Sequence, residues 1–294
     1  MLRSHVRWIV SAVAVITLLL TAFVAVPALR ASAAGDPSRE QDYLALGDSV
    51  AFGYSPLLDP HREANFIGYP SPVATALDEH LTNAACPGEA TGGFISLTGT
   101  DNGCRFYRAN FSLHTGYSTD QLAYAVQFIE SHPHTRLISI DIGANDLFVL
   151  QHQCGGSVSC VQAHLPGLLA TVSANLDTIY GAIRNTAKYT HQLVALTYYS
   201  LNYGDQVTTA VIGQLNAVII SRTLAWGGAI ADGFGAFAAA SHNGDTCAAG
   251  LRIALPPPLG GGCDIHPSVA GRNVLAAAVL AVVRHNNGQG DGNH

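Results

Sequence analysis

The chain carries Tyr43-Leu44-Ala45-Leu46-Gly47-Asp48-Ser49, a short apolar run that breaks at a glycine and ends in two polar residues. A continuous apolar run of this length predicts a buried strand, and the Gly-Asp-Ser that follows predicts a tight turn presenting Ser49. The tripeptide alone also fits an ordinary strand-to-helix turn with Ser49 as the helix cap. Its position at the end of a strand is therefore the stronger indication of function.

A second apolar run, residues 136–142, also breaks at a glycine and is followed by Asn145 and Asp146. In isolation this pair fits a turn or a helix cap. In open parallel sheets, however, ligands bind in the crevice at the carboxyl ends of the strands. The two polar clusters are therefore expected to converge there.

Apolar runs and helical patterns alternate along the chain, and a capping-box pattern at residues 118–121 opens one of the helices. Strands are expected near residues 43–46, 81–85, 136–142 and 192–198 with a weak last strand at 233–237, and helices near residues 70–80, 121–131, 161–187, 208–226 and 268–284. This alternation predicts an α/β domain with a parallel sheet and helices on both faces.

Four segments in this order resemble the conserved blocks of the SGNH (GDSL) hydrolase family, which contribute serine, glycine, asparagine and histidine. They are Gly47-Asp48-Ser49, Cys86-Pro87-Gly88-Glu89, Gly143-Ala144-Asn145-Asp146 and Asp264-Ile265-His266-Pro267. The resemblance covers residues 43–271. It implies a three-layer α/β/α, flavodoxin-like fold with a mostly five-stranded parallel sheet, and a secreted esterase or lipase of the actinobacterial type with three disulfides.

The chemistry of these residue types leads to the same expectation. A serine hydroxyl is a poor nucleophile at neutral pH and needs an adjacent base, which His266 can supply to Ser49. The charge that develops on the carbonyl oxygen needs preorganised donors. The expected donors are the backbone N–H groups of Ser49 and Gly88 and the side-chain amide of Asn145.

One departure from the family pattern concerns the group that orients His266. The family places an aspartate three residues before the histidine, where this chain has Cys263, and Asp264 lies only two residues before it. Either the Asp264 carboxylate or the backbone carbonyl of Cys263 can hold the imidazole. We expect the carbonyl, on the premise that two-residue spacing in an extended segment points Asp264 away from His266.

Several other classes of function lack their signatures. The chain contains no Gly-x-Ser-x-Gly elbow, no dinucleotide-binding or P-loop motif and no His-Glu-x-x-His, despite thirteen histidines. We therefore expect neither a metal nor a cofactor, although a doubly wound sheet can also bind a flavin. With 12% charged residues and a net charge of -6, no nucleic-acid partner is expected. We expect a monomer.

The first residues have the features of a secretion signal. Arg3 and Arg7 precede the apolar residues 8–26, and Ala31-Ser32-Ala33 is a small-residue cleavage site. This predicts a signal peptide over residues 1–33, a hydrolase domain over 34–285 and a disordered, Asn- and Gly-rich tail over 286–294. The apolar stretch is also long enough to be an uncleaved membrane anchor.

Six cysteines in an exported chain predict three disulfides. Sequence allows fifteen pairings, but the spacings suggest neighbours, and the family resemblance favours the same arrangement: Cys86 with Cys104, Cys154 with Cys160 and Cys247 with Cys263. The first and third pairs flank the segments that carry Gly88 and His266. They are expected either to restrain these segments or simply to staple surface loops.

The substrate is expected to be a carboxylic ester, either a lipid or a small acyl ester. The family also includes carbohydrate deacetylases, and a catalytically weak exported binding module is a further alternative. Three insertion-like segments, residues 55–70, 89–117 and 151–160, are candidates to line the substrate pocket. Aromatic residues in or beside them could bind an acyl chain, although most are expected to pack the loops: Phe66, Tyr69, Phe94, Phe106, Tyr107, Tyr117 and Phe148.

Overall fold

The computed structural model describes residues 41–289, with side chains described for residues 41–283. The predicted signal peptide, residues 1–33, and the end of the predicted tail, residues 290–294, lie outside the described residues.

A five-stranded parallel sheet forms the centre of the domain. Its strands are β1 (Asp42–Gly47), β2 (His80–Asn83), β3 (Thr135–Asp141), β4 (Gln192–Leu196) and β5 (Ala229–Ala231), in the order β2-β1-β3-β4-β5. The apolar side chains of β1 and β3 are almost wholly buried, as continuous hydrophobic runs in a parallel sheet require. The strand order is the flavodoxin-like one, whose direction reverses between β1 and β3. The two strands expected to present Ser49 and Asn145 therefore flank the topological switch point.

Ten helices accompany the sheet in the described part of the chain. They are α1 (Ser49–Phe52), α2 (Pro70–Leu77), α3 (Thr91–Ile95), α4 (Cys104–Asn110), α5 (Gln121–Ser131), α6 (Ala144–Gln153), α7 (Val158–Gly181), α8 (Gln206–Ala225), α9 (Gly233–Ala240) and α10 (Val269–Gln289). Helices α2, α9 and α10 pack together on one face, and α3, α5, α7 and α8 form the other layer. The predicted three-layer α/β/α architecture is confirmed.

Some elements differ from the prediction. The expected strand at residues 233–237 is wrong: this segment is helix α9, because the Asp232 side chain accepts the Gly235 N–H and caps it. The fifth strand precedes it. Helix α6 and an antiparallel pair, β6 (Arg252–Ala254) and β7 (Cys263–Pro267), were not predicted. Helix α10 continues to Gln289, into the tail for which disorder was expected.

Helix α8 is the one helix among the described residues that is long and apolar enough to cross a membrane by length and composition. It packs on α7 and on strands β4 and β5. A helix of a folded core satisfies the same test, so this feature is weak evidence of a span.

The three predicted disulfides are present, with the predicted pairing: Cys86–Cys104, Cys154–Cys160 and Cys247–Cys263. Cys86 lies two residues before Gly88, and Cys263 begins β7, the strand that carries His266. The Cys154–Cys160 bond joins the end of α6 to the start of α7. Each bridge therefore adjoins a segment that lines the site described below.

Candidate active site

The nucleophile candidate sits at a sharp turn between β1 and α1. Gly47 has φ +132°, and a Cβ there would lie 2.2 Å from the carbonyl oxygen of Asp141 on the neighbouring strand. Only glycine fits both the conformation and the space. Asp48 then caps α1 by accepting the Val50 N–H at 2.9 Å, which places Ser49 at the first position of the helix.

The base candidate comes from the other end of the chain. His266 lies on β7, and its Nε2 is 2.8 Å from Ser49 Oγ. The Tyr199 hydroxyl donates to the Ile265 carbonyl at 2.7 Å, and the ring of Tyr54 packs against the imidazole with centroids 4.9 Å apart. These contacts hold the strand and the ring at the serine.

The Asp264 carboxylate, rather than the Cys263 carbonyl, is the partner of His266 Nδ1, at 2.5 Å. The expectation that Asp264 points away is wrong. Side chains two residues apart on a strand lie on the same face, so Asp264 and His266 project together. The same carboxylate oxygen also accepts the His266 backbone N–H at 3.0 Å.

The surroundings of the Asp264 side chain favour its ionised form. Burial alone would raise its pKa, but the hydrogen bond and the charge of His266, together with the N–H groups of His266 and Ile265, outweigh burial and hold the pKa below its usual range. The carboxylate can therefore stabilise a positively charged imidazole.

Three groups are candidate oxyanion donors: the backbone N–H groups of Ser49 and Gly88 and the side-chain amide of Asn145. Among residues 41–289, the N–H groups of Ser49 and Gly88 donate to no protein acceptor. Gly88 has φ +82°, and a Cβ there would lie 2.7 Å from the Asn102 carbonyl, so the loop needs glycine. Asn145, in the first turn of α6, is buried and its Nδ2 donates to Asp48 at 3.2 Å.

Asn102 connects two of these candidate donors, and no sequence motif marks it. Its backbone N–H donates to the Gly88 carbonyl at 2.8 Å, and its side-chain Nδ2 donates to Asn145 Oδ1 at 2.9 Å. The second bond fixes the Asn145 amide with its NH₂ group toward the serine side. A residue from an unpatterned loop thus orients both Gly88 and Asn145.

Asp146, next to Asn145, has a structural role. Its carboxylate accepts the backbone N–H of Thr91 at 2.9 Å and the Thr91 hydroxyl at 2.6 Å. Burial raises the pKa of Asp146, and these hydrogen bonds oppose the rise. Thr91 begins α3, just beyond Gly88, so Asp146 ties the segment that carries Gly88 to α6.

Beneath Ser49 lies a buried pair of carboxyl groups. The Asp48 side chain accepts the Tyr198 hydroxyl at 2.6 Å and is hydrogen-bonded to the side chain of Asp141. Burial raises the pKa of both groups, and the charge of Asp48 raises that of Asp141 further. Asp141 is therefore the protonated member and donates to Asp48. The pair fixes the turn between β1 and α1.

Glu89, next to Gly88, is buried with its Oε1 lacking a hydrogen-bond partner within the described residues. Burial raises its pKa to about 8, the charge of Asp101 adds to the rise, and Arg108 opposes it. Glu89 is therefore a neutral acid at pH 7. It adjoins the Cys86–Cys104 disulfide, whose sulfurs carry no proton, so this cluster is not a thiolate metal site.

The Glu89→Gln variant should gain stability relative to the wild type as pH rises. A folded-state pKa of about 8, above the ordinary 4.5, contributes stability that is complete below about pH 4.5 and is lost as pH rises through about 8. Between about pH 6 and pH 9 the variant should gain about 2.5–3 kcal/mol over the wild type. Thermal unfolding at the two pH values measures this. The control Glu130→Gln, at an exposed position of α5, should show the same pH dependence of stability as the wild type. If the stability of Glu89→Gln and of the wild type changed equally with pH, Glu89 would ionise normally.

A cleft of about 250 Å³ opens at Ser49. Its lining includes Ser49, Asn145 and His266 together with further polar and apolar residues: Asp48, Val50, Ala144, Phe148, Gln151, Tyr198, Tyr199, Leu201, Thr208, Ile212 and Ile265. Of the seven aromatic residues suggested by the sequence, Phe148 alone lines it. Four of the others are buried in the core, in agreement with the expectation that most of these aromatic residues pack the loops: Phe66, Tyr69, Phe94 and Tyr107. A larger depression of about 880 Å³ lies at the opposite ends of β4 and β5, away from these groups.

Residues 45–274 match the model of the GDSL-like Lipase/Acylhydrolase family. The chain belongs to this family. The protein is thus a carboxylic ester hydrolase, and residues of the serine, asparagine and histidine blocks found in its sequence line the cleft. None of the curated proteins with which it was compared matches its sequence.

Solved structures of lipases and esterases share the fold of this GDSL-like acylhydrolase. An extracellular lipase from Streptomyces rimosus superposes with a TM-score of 0.55 at 22% identity, covering 83% of this chain and 99% of that one. Phospholipase A1 from Streptomyces albidoflavus gives 0.54 at 22%, covering 84% and 99%. A catalytic mutant of an acetylxylan esterase from Geobacillus stearothermophilus gives 0.53 at 17%, covering 82% and 93%. At these identities the likeness establishes the fold.

Proposed function

We propose that the protein is an exported serine hydrolase that cleaves carboxylic esters through an acyl-enzyme on Ser49. The observation that carries this proposal is one continuous chain of hydrogen bonds. It runs from Ser49 Oγ to His266 Nε2 at 2.8 Å and from His266 Nδ1 to Asp264 at 2.5 Å. This is the nucleophile, base and orienting carboxylate of a hydrolase triad.

In the first half-reaction, Ser49 Oγ attacks the ester carbonyl carbon while His266 Nε2 takes its proton. The tetrahedral intermediate collapses when His266 returns that proton to the leaving alcohol, and the acyl group remains on Ser49. In the second half, a water attacks the acyl carbon while His266 accepts its proton. His266 then returns that proton to Ser49 Oγ as the bond to the acyl carbon breaks, and the carboxylic acid leaves. Asp264 stabilises the imidazolium in both halves.

The tetrahedral oxyanion would bind the N–H groups of Ser49 and Gly88 and the Asn145 amide. This role is supported by the two backbone donors, which have no acceptor among residues 41–289, and by the Asn102 bond that orients the amide. Donors already in position need no reorganisation during the reaction.

Replacing Asn145 with alanine should lower kcat for p-nitrophenyl acetate about 10²–10³-fold, or about 3–4 kcal/mol. The loss should fall on kcat more than on KM, because the amide binds charge that exists only in the transition state. Steady-state kinetics measure this. Gln153→Ala, at an exposed position of the same helix, is the matched control. A rise in KM at unchanged kcat would indicate a substrate-binding role instead.

Export is supported by the three disulfides, which fit an oxidising compartment, and by the cleavable-signal pattern over residues 1–33. A mature protein that begins at Ala34 in the culture medium is the expected product. Retention of residues 1–33 on a membrane-bound protein would identify them as an anchor.

The experiment that tests the proposed activity is hydrolysis of p-nitrophenyl acetate, butyrate and octanoate by the purified, disulfide-bonded protein. We expect release of p-nitrophenol with saturation kinetics. A folded protein that turns over none of these esters would contradict the proposal, and would direct the search to acetylated carbohydrates or to a binding role.

A further inference from the structure

The cleft at Ser49 continues into a second cavity. This second cavity, of about 160 Å³, shares four lining residues with the cleft: Phe148, Gln151, Thr208 and Ile212. A shallower depression beyond it shares Gln162, Val207 and Val211 with the second cavity. Together they form one groove, which leads from the reacting groups outward between α8 on one side and α6, α7 and their connecting loop on the other.

The groove beyond the cleft is apolar. The second cavity is lined mainly by aliphatic and aromatic side chains: Leu147, Phe148, Val158, Val161, Val207, Val211 and Ile212. Its polar lining consists of two glutamines and a threonine, and neither outer cavity has a charged side chain in its lining. Burial of a hydrocarbon chain against such a surface is favourable. The lining has no charged side chain that could pair with an anionic headgroup.

One wall of the groove is fixed covalently. Gly156 and Val158 lie in the segment closed by the Cys154–Cys160 disulfide, which joins α6 to α7. The opposite wall is a face of helix α8. One wall is held by a disulfide and the other by a helix, so the groove is preformed. A ligand therefore does not lose binding free energy by ordering these walls.

The direction of the groove distinguishes the two halves of an ester. The leaving alcohol must lie within reach of His266, which returns the proton to it. The groove departs beside α6, the helix that carries Asn145, and no residue of the His266 strand lines it beyond the cleft. The part of the substrate that fits the groove is therefore the acyl chain.

We propose that this groove is the acyl-chain subsite, that the protein prefers esters of medium-length or longer fatty acids over acetate, and that Val211 and Val158 determine that preference from opposite walls. The inference rests on the proposed function. Each methylene that enters the groove should raise kcat/KM by up to about fourfold.

The test uses Val211→Trp, because Val211 lines the groove but not the cleft at Ser49. The wild type should hydrolyse p-nitrophenyl octanoate with a higher kcat/KM than the acetate. In the variant, the octanoate value should fall at least about tenfold while the acetate value stays within about twofold. Val158→Trp, at an exposed position of the opposite wall, should do the same and places no tryptophan in the core. Ala217→Trp, exposed on α8 and outside all three cavities, is the matched control.

Three results would overturn the inference. Equal losses on acetate and octanoate would mean that the tryptophans disturb the reacting groups. Unchanged octanoate turnover would mean that the chain lies elsewhere. A selective loss on octyl acetate, with p-nitrophenyl octanoate spared, would assign the groove to the alcohol. In each case ester turnover by the wild type leaves the proposed function standing, whereas a wild type inactive on every ester would remove that function and this inference with it.

Discussion

Alanine at Ser49, at His266 or at both positions should lower kcat for p-nitrophenyl acetate by about the same factor, on the order of 10⁶-fold. In the proposed mechanism the serine is activated through its 2.8 Å hydrogen bond to His266 Nε2, so that neither residue supports turnover without the other. Removing the second member of such a unit costs little more than removing the first. The three variants should therefore have equal residual activity.

Steady-state kinetics on the two single variants and the double variant measure this non-additivity. His152→Ala, which removes an exposed histidine on α6, serves as the control for the loss of an imidazole and should keep wild-type turnover. Circular dichroism and thermal unfolding establish that each variant is folded. Losses that multiply in the double variant would show that Ser49 and His266 act independently, which would contradict the proposed mechanism.

Replacing Asp264 with asparagine should lower kcat about 10⁴-fold, and alanine should do so to a similar extent. The carboxylate accepts from His266 Nδ1 at 2.5 Å and so holds the tautomer whose Nε2 can take the serine proton. Asparagine can still accept the His266 backbone N–H, so it preserves that contact while removing the charge. The asparagine variant thus separates the electrostatic role from a merely structural one.

The matched control is Asp245→Asn. Asp245 pairs at 3.3 Å with Arg252, which lies on β6, the strand paired with the His266 strand β7. No hydrogen bond joins Asp245 to the imidazole among the described residues. The Asp245→Asn variant should retain most of the wild-type activity. If Asp264→Ala kept more than about a tenth of wild-type kcat, the Cys263 carbonyl would again be the better candidate for orienting His266.

Most of the fold could be predicted from the sequence because its central strands are continuous apolar runs that end at glycines. The last strand was misplaced for a physical reason. Ala229–Ala231 is too short to show a pattern, and the Gly233–Phe237 run has no polar face that marks it as a helix. The contact that favours a helix is the N-cap, in which the Asp232 side chain accepts the Gly235 N–H. The local apolar pattern does not reveal this bond.

The candidate site likewise contains residues that the sequence indicates and residues that it does not. Ser49, Gly88, Asn145 and His266 lie in local motifs, so the sequence pointed to them, and the fold brings Ser49 and His266 into contact. The expected Cys263 carbonyl is not the partner of the imidazole, because Asp264 and His266 alternate on β7 and therefore face the same side. Asn102, Tyr198 and Asp141 reach the site only through tertiary contacts, and no local pattern marks such residues.

The central claim is that Ser49 becomes covalently acylated, and a phosphonate ester with a p-nitrophenol leaving group tests it most directly. Ser49 Oγ should form a bond to phosphorus and release one p-nitrophenol per active chain, in step with the loss of esterase activity. Intact mass and peptide mapping should then place a single phosphonyl group on Ser49, with none on the Ser49→Ala variant. An active enzyme that is inactivated by labelling at another residue, or that keeps its turnover after Ser49 is fully labelled, would contradict the account.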